Sequence, residues 1–174
     1  MTTAPTPRDH TETGQAPSPG RADYAGAVYG SLLAASVVAT AGAAGDFSRV
    51  QLIVLLLVTG MVFWAAHVYA HLAGERISAR PIDRRQAGRV ARREWSIVEA
   101  AVLPAAAVAI SPVLGLDLAG TVWLALSTAI AQQVVWAALG AIRAGAPRRM
   151  VIGEGIANLL LALVIVAAKV ALGH

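Results

Sequence analysis

Two histidines and a glutamate share one helical face in an apolar stretch of the chain. His67, His71 and Glu75 follow one another at four-residue spacing, which places their side chains on the same side of an α-helix. Imidazole and carboxylate ligands suit divalent iron, zinc or manganese, and histidine can also relay protons because it titrates near neutral pH. The spacing predicts a metal site at these residues, with a divalent metal ion as substrate and no resident cofactor. The alternative places both histidines at a membrane interface, with their ring ends among lipid headgroups.

Other polar side chains interrupt later apolar stretches. Glu99 and Glu154 are ionisable, whereas Gln132 and Asn158 are uncharged. Ionisable groups are costly inside a membrane and commonly mark ion or proton paths. We therefore predict an ion or proton pathway through Glu99, Glu154, Asn158 and Gln132. In the alternative, the carboxylates pair with arginines, and Gln132 and Gln133 form hydrogen bonds between helices.

The elements that must position these residues are membrane helices. The chain has 174 residues, of which 57% are hydrophobic and 14% charged, whereas a soluble domain carries about 25% charged residues. Five apolar stretches are long enough to cross about 30 Å of hydrocarbon, and none alternates like a membrane strand, so each must be helical. They cover about 24–44, 50–73, 96–114, 118–142 and 150–172. The predicted fold class is all-α, an integral membrane bundle of five transmembrane helices.

Two parts of this division have alternatives. Pro104 and Pro112 lie in or near the third stretch, and few residues separate it from the fourth, so one kinked re-entrant segment could replace that pair. Residues 1–22 are polar and predicted to be a disordered tail, which leaves 23–174 as the transmembrane domain. Small residues at 39–41 resemble a cleavage site, so removal of the first helix is a further alternative.

Arginines give the bundle its predicted orientation. The predicted loop 74–94 contains seven of them: Arg76, Arg80, Arg84, Arg85, Arg89, Arg92 and Arg93. Five spans put this loop, the tail and the connection at 143–149 on one side, leaving only Arg49 and Lys169 of the 14 basic residues on the other. The positive-inside rule then places the N-terminus in the cytoplasm and the C-terminus outside. We expect a multi-pass protein of a cell membrane, specifically a bacterial inner membrane.

The same arginines account for the basic isoelectric point of about 10.3. A nucleic-acid partner is not predicted, because no binding motif or aromatic interleaving accompanies the charge. The loop segment at 84–95 can form an interfacial helix that binds anionic lipid headgroups, with Val90 and Trp95 toward lipid; a solvated basic loop is the alternative. Gly26 and Gly30 form a G-x-x-x-G face that would allow a homodimer.

Counting along the spans gives the polar residues a depth. His67 lies about 10 Å from the cytoplasmic end of the second span, and Glu99 about 5 Å into the third. His71 and Glu154 fall at similar levels. The four residues therefore share the cytoplasmic leaflet. We predict that they form a vestibule there together with Glu75, with Asn158 and Gln132 deeper along the path.

Two stretches of the chain add to the five-helix layout: ALGAIRAGAPRRMVIGEGIANLLLALVIVAAKVALG at 137–173, and HLAGERISAR at 71–80. The first is similar in rhythm to the closing helix pair of the vacuolar iron transporter family, and the second is similar to that family's Gly-Glu stretch. The layout as a whole resembles that family. Gly74, Glu75 and Gly153 are the residues that carry over. The family's Asp-Gly in the first helix and its acidic metal-binding segment are absent here. The resemblance implies a dimeric cation/proton exchanger or a degenerate relative of one.

Two functional hypotheses follow. The first is a small cation transporter or proton-coupled permease. The second is a non-transporting membrane scaffold or accessory subunit that acts through helix packing and the Arg-rich loop. An enzyme is not predicted, because the chain has no Ser/His/Asp set, no phosphate-cradling Gly loop and no H-E-x-x-H.

Overall fold

The computed structural model describes residues 19–45, 47–77 and 83–172, and every regular element among them is an α-helix. The helices are α1 (Pro19–Ala44), α2 (Arg49–Ile77), α3 (Arg84–Arg93), α4 (Ser96–Ile110), α5 (Leu118–Arg143) and α6 (Arg148–Leu172). Four of them, α1, α2, α5 and α6, are long and apolar enough to cross a membrane. The all-α class is confirmed, and these four helices are as expected of a multi-pass membrane protein.

Helix boundaries differ from the predicted spans at several ends. α1 begins at Pro19, inside the predicted tail, and proline is favoured at a first helical position because it needs no N–H partner there. Residues 1–18 of that tail lie outside the described residues. α2 continues past the predicted end at Ala73 as far as Ile77. α5 matches its prediction to within one residue.

α4 is shorter than the span predicted for it. It ends at Ile110 rather than Leu114, because Pro112 has no N–H with which to continue the helix. A tight turn follows, in which the Val113 N–H donates to the Ile110 carbonyl at 3.0 Å and Gly115 adopts a φ of 68°. At 1.5 Å per residue the 15 residues of α4 extend about 22 Å, less than the hydrocarbon thickness.

Three helices form the centre of the bundle. α1, α4 and α5 each pack against the other two, α2 covers α4 and α1, and α6 lies against α5 and α1. The side chains between them are mostly small, such as Ala35, Ala125 and Ala129, with Leu52 and Leu126 among the larger ones. Small side chains let the backbones approach closely, which is how helices associate in membranes.

α1 and α4 approach each other closely. A Cβ atom added to Gly30 would stand 2.8 Å from the Ala100 Cβ and 2.9 Å from the Ile97 carbonyl oxygen. One turn earlier, a Cβ on Gly26 would stand 2.6 Å from the Ser96 Oγ. The G-x-x-x-G face predicted to support a homodimer is therefore occupied by α4 of the same chain.

The long helices alternate in direction, so the bundle has two distinct ends. At one end Tyr24 of α1 contacts Trp136 near the end of α5, and Trp64 of α2 contacts Trp95 before α4. We call this the arginine end, since the basic residues whose side chains the structure describes there are Arg84, Arg85, Arg89, Arg92, Arg93, Arg143, Arg148 and Arg149. The opposite end holds Arg49 and Lys169.

Arg49 ties three elements together at the opposite end. Its guanidinium donates to the Leu116 carbonyl at 2.6 Å, to the Ser111 Oγ at 3.2 Å and to the Thr121 Oγ1 at 3.3 Å. The start of α2 is thus bonded to the turn after α4 and to the first turn of α5. Lys169, expected to reach the outer interface, places its ammonium 4.5 Å from the centre of the Trp123 ring.

Candidate functional site

The two histidines of α2 lie on one face, as their spacing predicts, but they have different partners. His67 is half-buried, with its Nδ1 at 3.1 Å from the Phe63 carbonyl and its ring centre 5.0 Å from that of Tyr29. His71 is exposed and holds its Nε2 at 3.2 Å from the Glu94 Oε1. Each imidazole therefore has its own partner, and the two rings do not share one.

Glu94 is the acidic partner that the sequence did not single out. It is only 7% exposed and follows α3 directly. Its side chain is held where α1 comes close to α4, since a Cβ on Gly26 would stand 3.9 Å from its Oε2. The sequence did not indicate that Glu94 is buried, because it lies in a charged loop and its burial depends on the docking of α3 against α2.

The proposed metal ligands do not assemble among the described side chains. Glu75 belongs to α2, but its side chain lies outside the described residues. Within the part of the chain that the structure describes, no group of three or more His, Asp or Glu residues is placed to hold a metal ion. His67, His71 and Glu75 therefore stay a sequence prediction as a metal site.

Glu99 and Glu154 lie at the arginine end but on different surfaces. Glu99 occupies the first turn of α4, and its side chain is exposed. Glu154 is also exposed and lines a groove between α1, α5 and α6. Neither carboxylate has a hydrogen-bond or ion-pair partner among the described residues. The four residues predicted to share one leaflet do share one end of the bundle, but they do not meet in one vestibule.

Gln132 is buried where α5 meets α1 and α4. Its Nε2 donates to the Ala100 carbonyl at 3.1 Å and to the Ser31 Oγ at 3.0 Å. Pro104 stands four residues after Ala100 inside α4 and cannot donate to that carbonyl. The glutamine amide thus supplies the hydrogen bond that the proline removes.

Gln133 and Asn158 form a second buried contact, between α5 and α6. The Gln133 Nε2 donates to the Asn158 Oδ1 at 3.0 Å and to the Asn158 carbonyl at 3.2 Å. The Asn158 amide donates in turn to the Glu154 carbonyl at 2.9 Å. The prediction that these glutamines bond between helices is confirmed, although the Oε1 of each is buried without a partner in the described chain.

The Arg-rich loop contains a helix that is docked on the bundle. The Trp64 Nε1 donates to the Ala91 carbonyl of α3 at 2.8 Å, and the Trp64 and Trp95 rings meet edge to face at 5.5 Å. Val90 and Ala91 are partly buried, whereas the arginines of α3 are exposed. Residues 84–93 are therefore helical, as the first of the two alternatives requires, and lipid binding by this helix stays a prediction.

Comparison with known proteins gives no relative for this arrangement. No family model, curated protein or solved structure matches the chain.

Proposed function

We propose that the chain is a five-pass membrane protein with its arginine end in the cytoplasm, and that it works as a non-transporting scaffold or accessory subunit. Its arginine helix, α3, would bind anionic lipid headgroups at the cytoplasmic surface. The resemblance to the vacuolar iron transporter family would then be one of layout.

The distribution of charge supports this placement in a membrane. Eight arginines whose side chains are described lie at the arginine end, and Arg49 and Lys169 lie at the other. Such a bias is what sets membrane orientation. α4 supplies the fifth pass: Ser96 at its start lies beside Gly26 of α1, and Ser111 just after its end is bonded to Arg49.

The observation that carries the proposed function is the docked arginine helix. Arg85, Arg89 and Arg92 follow the spacing of one helical face, and all three are exposed. None has an acidic partner in the described chain. Each arginine near an anionic membrane surface contributes about 1 kcal/mol of attraction. Because Trp64 fixes α3 to α2, these charges are presented together.

The buried polar side chains support a role in helix packing rather than an ion or proton pathway. Gln132 bonds to α1 and α4, and Gln133 bonds to α6, so both amides join helices. Two cavities lined by described residues, one at each end of the bundle, share no lining residue, and neither is lined by His67, His71 or Glu99.

Lipid binding tests the role of α3. The purified protein is titrated with phosphatidylglycerol, and bound lipids are counted by native mass spectrometry. A triple variant, Arg85→Gln/Arg89→Gln/Arg92→Gln, should bind this lipid at least about tenfold more weakly. Lys169→Gln, at the opposite end, is the control and should bind as the parent does. Equal binding by the triple variant would mean that α3 is not the lipid site.

Cation or proton-coupled transport is the second candidate function. One observation favours it: the buried Oε1 atoms of Gln132 and Gln133 have no partner among the described residues and could accept a cation or a water. Under this hypothesis a divalent metal ion would enter past His67, His71 and Glu75. In proteoliposomes, metal or proton flux above that of empty vesicles would support transport over the scaffold. Unchanged flux in Glu99→Gln and Glu154→Gln variants would exclude those carboxylates from the path.

A further inference from the structure

The groove at the arginine end has walls of two chemical kinds. It measures about 380 Å³ and lies where α1, the end of α5 and the start of α6 meet. Tyr24 and Trp136 form an aromatic wall, with ring centres 5.8 Å apart and planes inclined at 50°. Glu154 and Met150 line the side contributed by α6. An exposed carboxylate thus stands in the same groove as two aromatic rings.

A carboxylate beside aromatic rings favours the binding of a cation. Aromatic faces attract ammonium groups, and rings arranged around a groove are a common device for holding them. Glu154 has no partner among the described residues, so its oxygens are free to accept hydrogen bonds from such a group. A carboxylate left facing lipid without a counter-ion would be costly. A primary ammonium can donate hydrogen bonds to the carboxylate and also make a cation–π contact with the rings.

A positive group borders the same groove. The Arg143 guanidinium donates to the Tyr24 hydroxyl and lies 5.4 Å from the centre of the Tyr24 ring. No acidic side chain of the described residues pairs with it. Arginine carries further N–H donors in a geometry that matches phosphate oxygens. One guanidinium and one carboxylate beside a shared aromatic wall complement a zwitterion.

We propose that this groove binds the headgroup of an aminophospholipid, with the ammonium at Glu154 and Trp136 and the phosphate at Arg143. The groove lies at the end of the helices, where Arg143 closes α5 and Arg148 opens α6, so a membrane lipid would reach it with its acyl chains along the bundle. Phosphatidylethanolamine fits better than phosphatidylcholine, because a quaternary ammonium cannot donate hydrogen bonds to the carboxylate. The inference requires the chain to lie in a bilayer but does not depend on the role of α3.

Competitive lipid binding tests the proposal. The purified protein is titrated in detergent with phosphatidylethanolamine or phosphatidylcholine, and occupancy is read by native mass spectrometry. The parent should prefer phosphatidylethanolamine. Glu154→Gln should weaken binding of that lipid about tenfold and remove the preference, because it replaces a charge-assisted hydrogen bond with a neutral one. Arg143→Gln should weaken both lipids alike, because they share the phosphate.

Glu99→Gln is the matched control. It neutralises another exposed carboxylate of a bundle helix, outside the groove, and should leave both affinities unchanged. Equal thermal unfolding of the variants in detergent establishes that they are folded, and Trp136→Phe, which keeps a smaller ring, should give an intermediate loss. The proposal is overturned if Glu154→Gln binds phosphatidylethanolamine as Glu99→Gln does. It is also overturned if soluble phosphoethanolamine displaces the lipid at equal concentration, because the occupant would then be a free small molecule.

Discussion

The Gln132 side chain supplies a hydrogen bond that a proline in the neighbouring helix removes. Pro104 belongs to the most enclosed helix, where it leaves the Ala100 carbonyl without its usual donor. In a membrane interior no water can supply one. The Gln132 amide does so from the neighbouring helix at 3.1 Å. A polar residue in the middle of an apolar helix therefore has a structural reason to be there.

This pairing makes a double-variant prediction. Gln132→Met keeps the volume but removes the donor, and it should lower the free energy of unfolding by about 1–3 kcal/mol, because the Ala100 carbonyl is left buried and unpaired. In a Pro104→Ala background the new N–H can serve that carbonyl, so the same change should cost less. Unfolding in detergent, analysed as a double-mutant cycle, gives the coupling.

Gln133→Met is the control for this cycle. It removes an amide from the next position, but that amide bonds to Asn158 and not to α4. Its cost should be the same with Pro104 or Ala at that position. Zero coupling between Gln132 and Pro104 would show that the carbonyl finds another donor.

At the scale of elements, contact between α1 and α4 depends on the absence of a side chain. Gly30 stands against the Ile97 backbone and the Ala100 methyl group, where a Cβ would come within 3.0 Å. Real Cβ atoms do not approach backbone so closely, so a larger residue must push the helices apart. The motif that predicts a dimer interface here joins two helices of one chain.

Gly30→Ala should therefore destabilise the bundle by about 1–3 kcal/mol through overpacking. Gly153→Ala is the matched control, because a Cβ there meets nothing within 4 Å and alanine is the better helix former by about 1 kcal/mol. Thermal unfolding of both variants in detergent measures the difference. If Gly30→Ala changed the oligomeric state and left monomer stability intact, the face would belong to a dimer instead.

The sequence predicts depth along the bundle better than angle around it. His67, His71, Glu99 and Glu154 could be assigned to one end, because depth follows from counting residues at a fixed rise. Whether they face each other depends on how each helix is rotated about its axis when the bundle packs. In the structure, the rotations of α4 and α6 place Glu99 and Glu154 on separate surfaces. Glu94 was missed for the same reason, since only the docking of α3 buries it. The end of α5 could be predicted closely because a Gly/Pro break follows it.

For the whole molecule, we propose that the two ends of the bundle lie on opposite sides of a membrane. The arginine end combines α3 with the α5–α6 connection, whereas the opposite end carries Arg49 and Lys169. α1, α2, α4, α5 and α6 alternate in direction between these ends. The role of α3 requires the arginine end to meet the cytoplasmic headgroups, and the aminophospholipid groove requires that end to lie at a layer of headgroups.

Cysteine labelling tests this placement in the membrane, because the chain contains no cysteine of its own. Val113, 88% exposed in the turn after α4, and Gly88, exposed on α3, are suitable sites at the two ends. In intact cells whose outer surface is accessible, a membrane-impermeant maleimide should label Val113→Cys, and should label Gly88→Cys only after permeabilisation. Labelling of Gly88→Cys from outside, or of both variants from the same side, would contradict the proposed membrane placement.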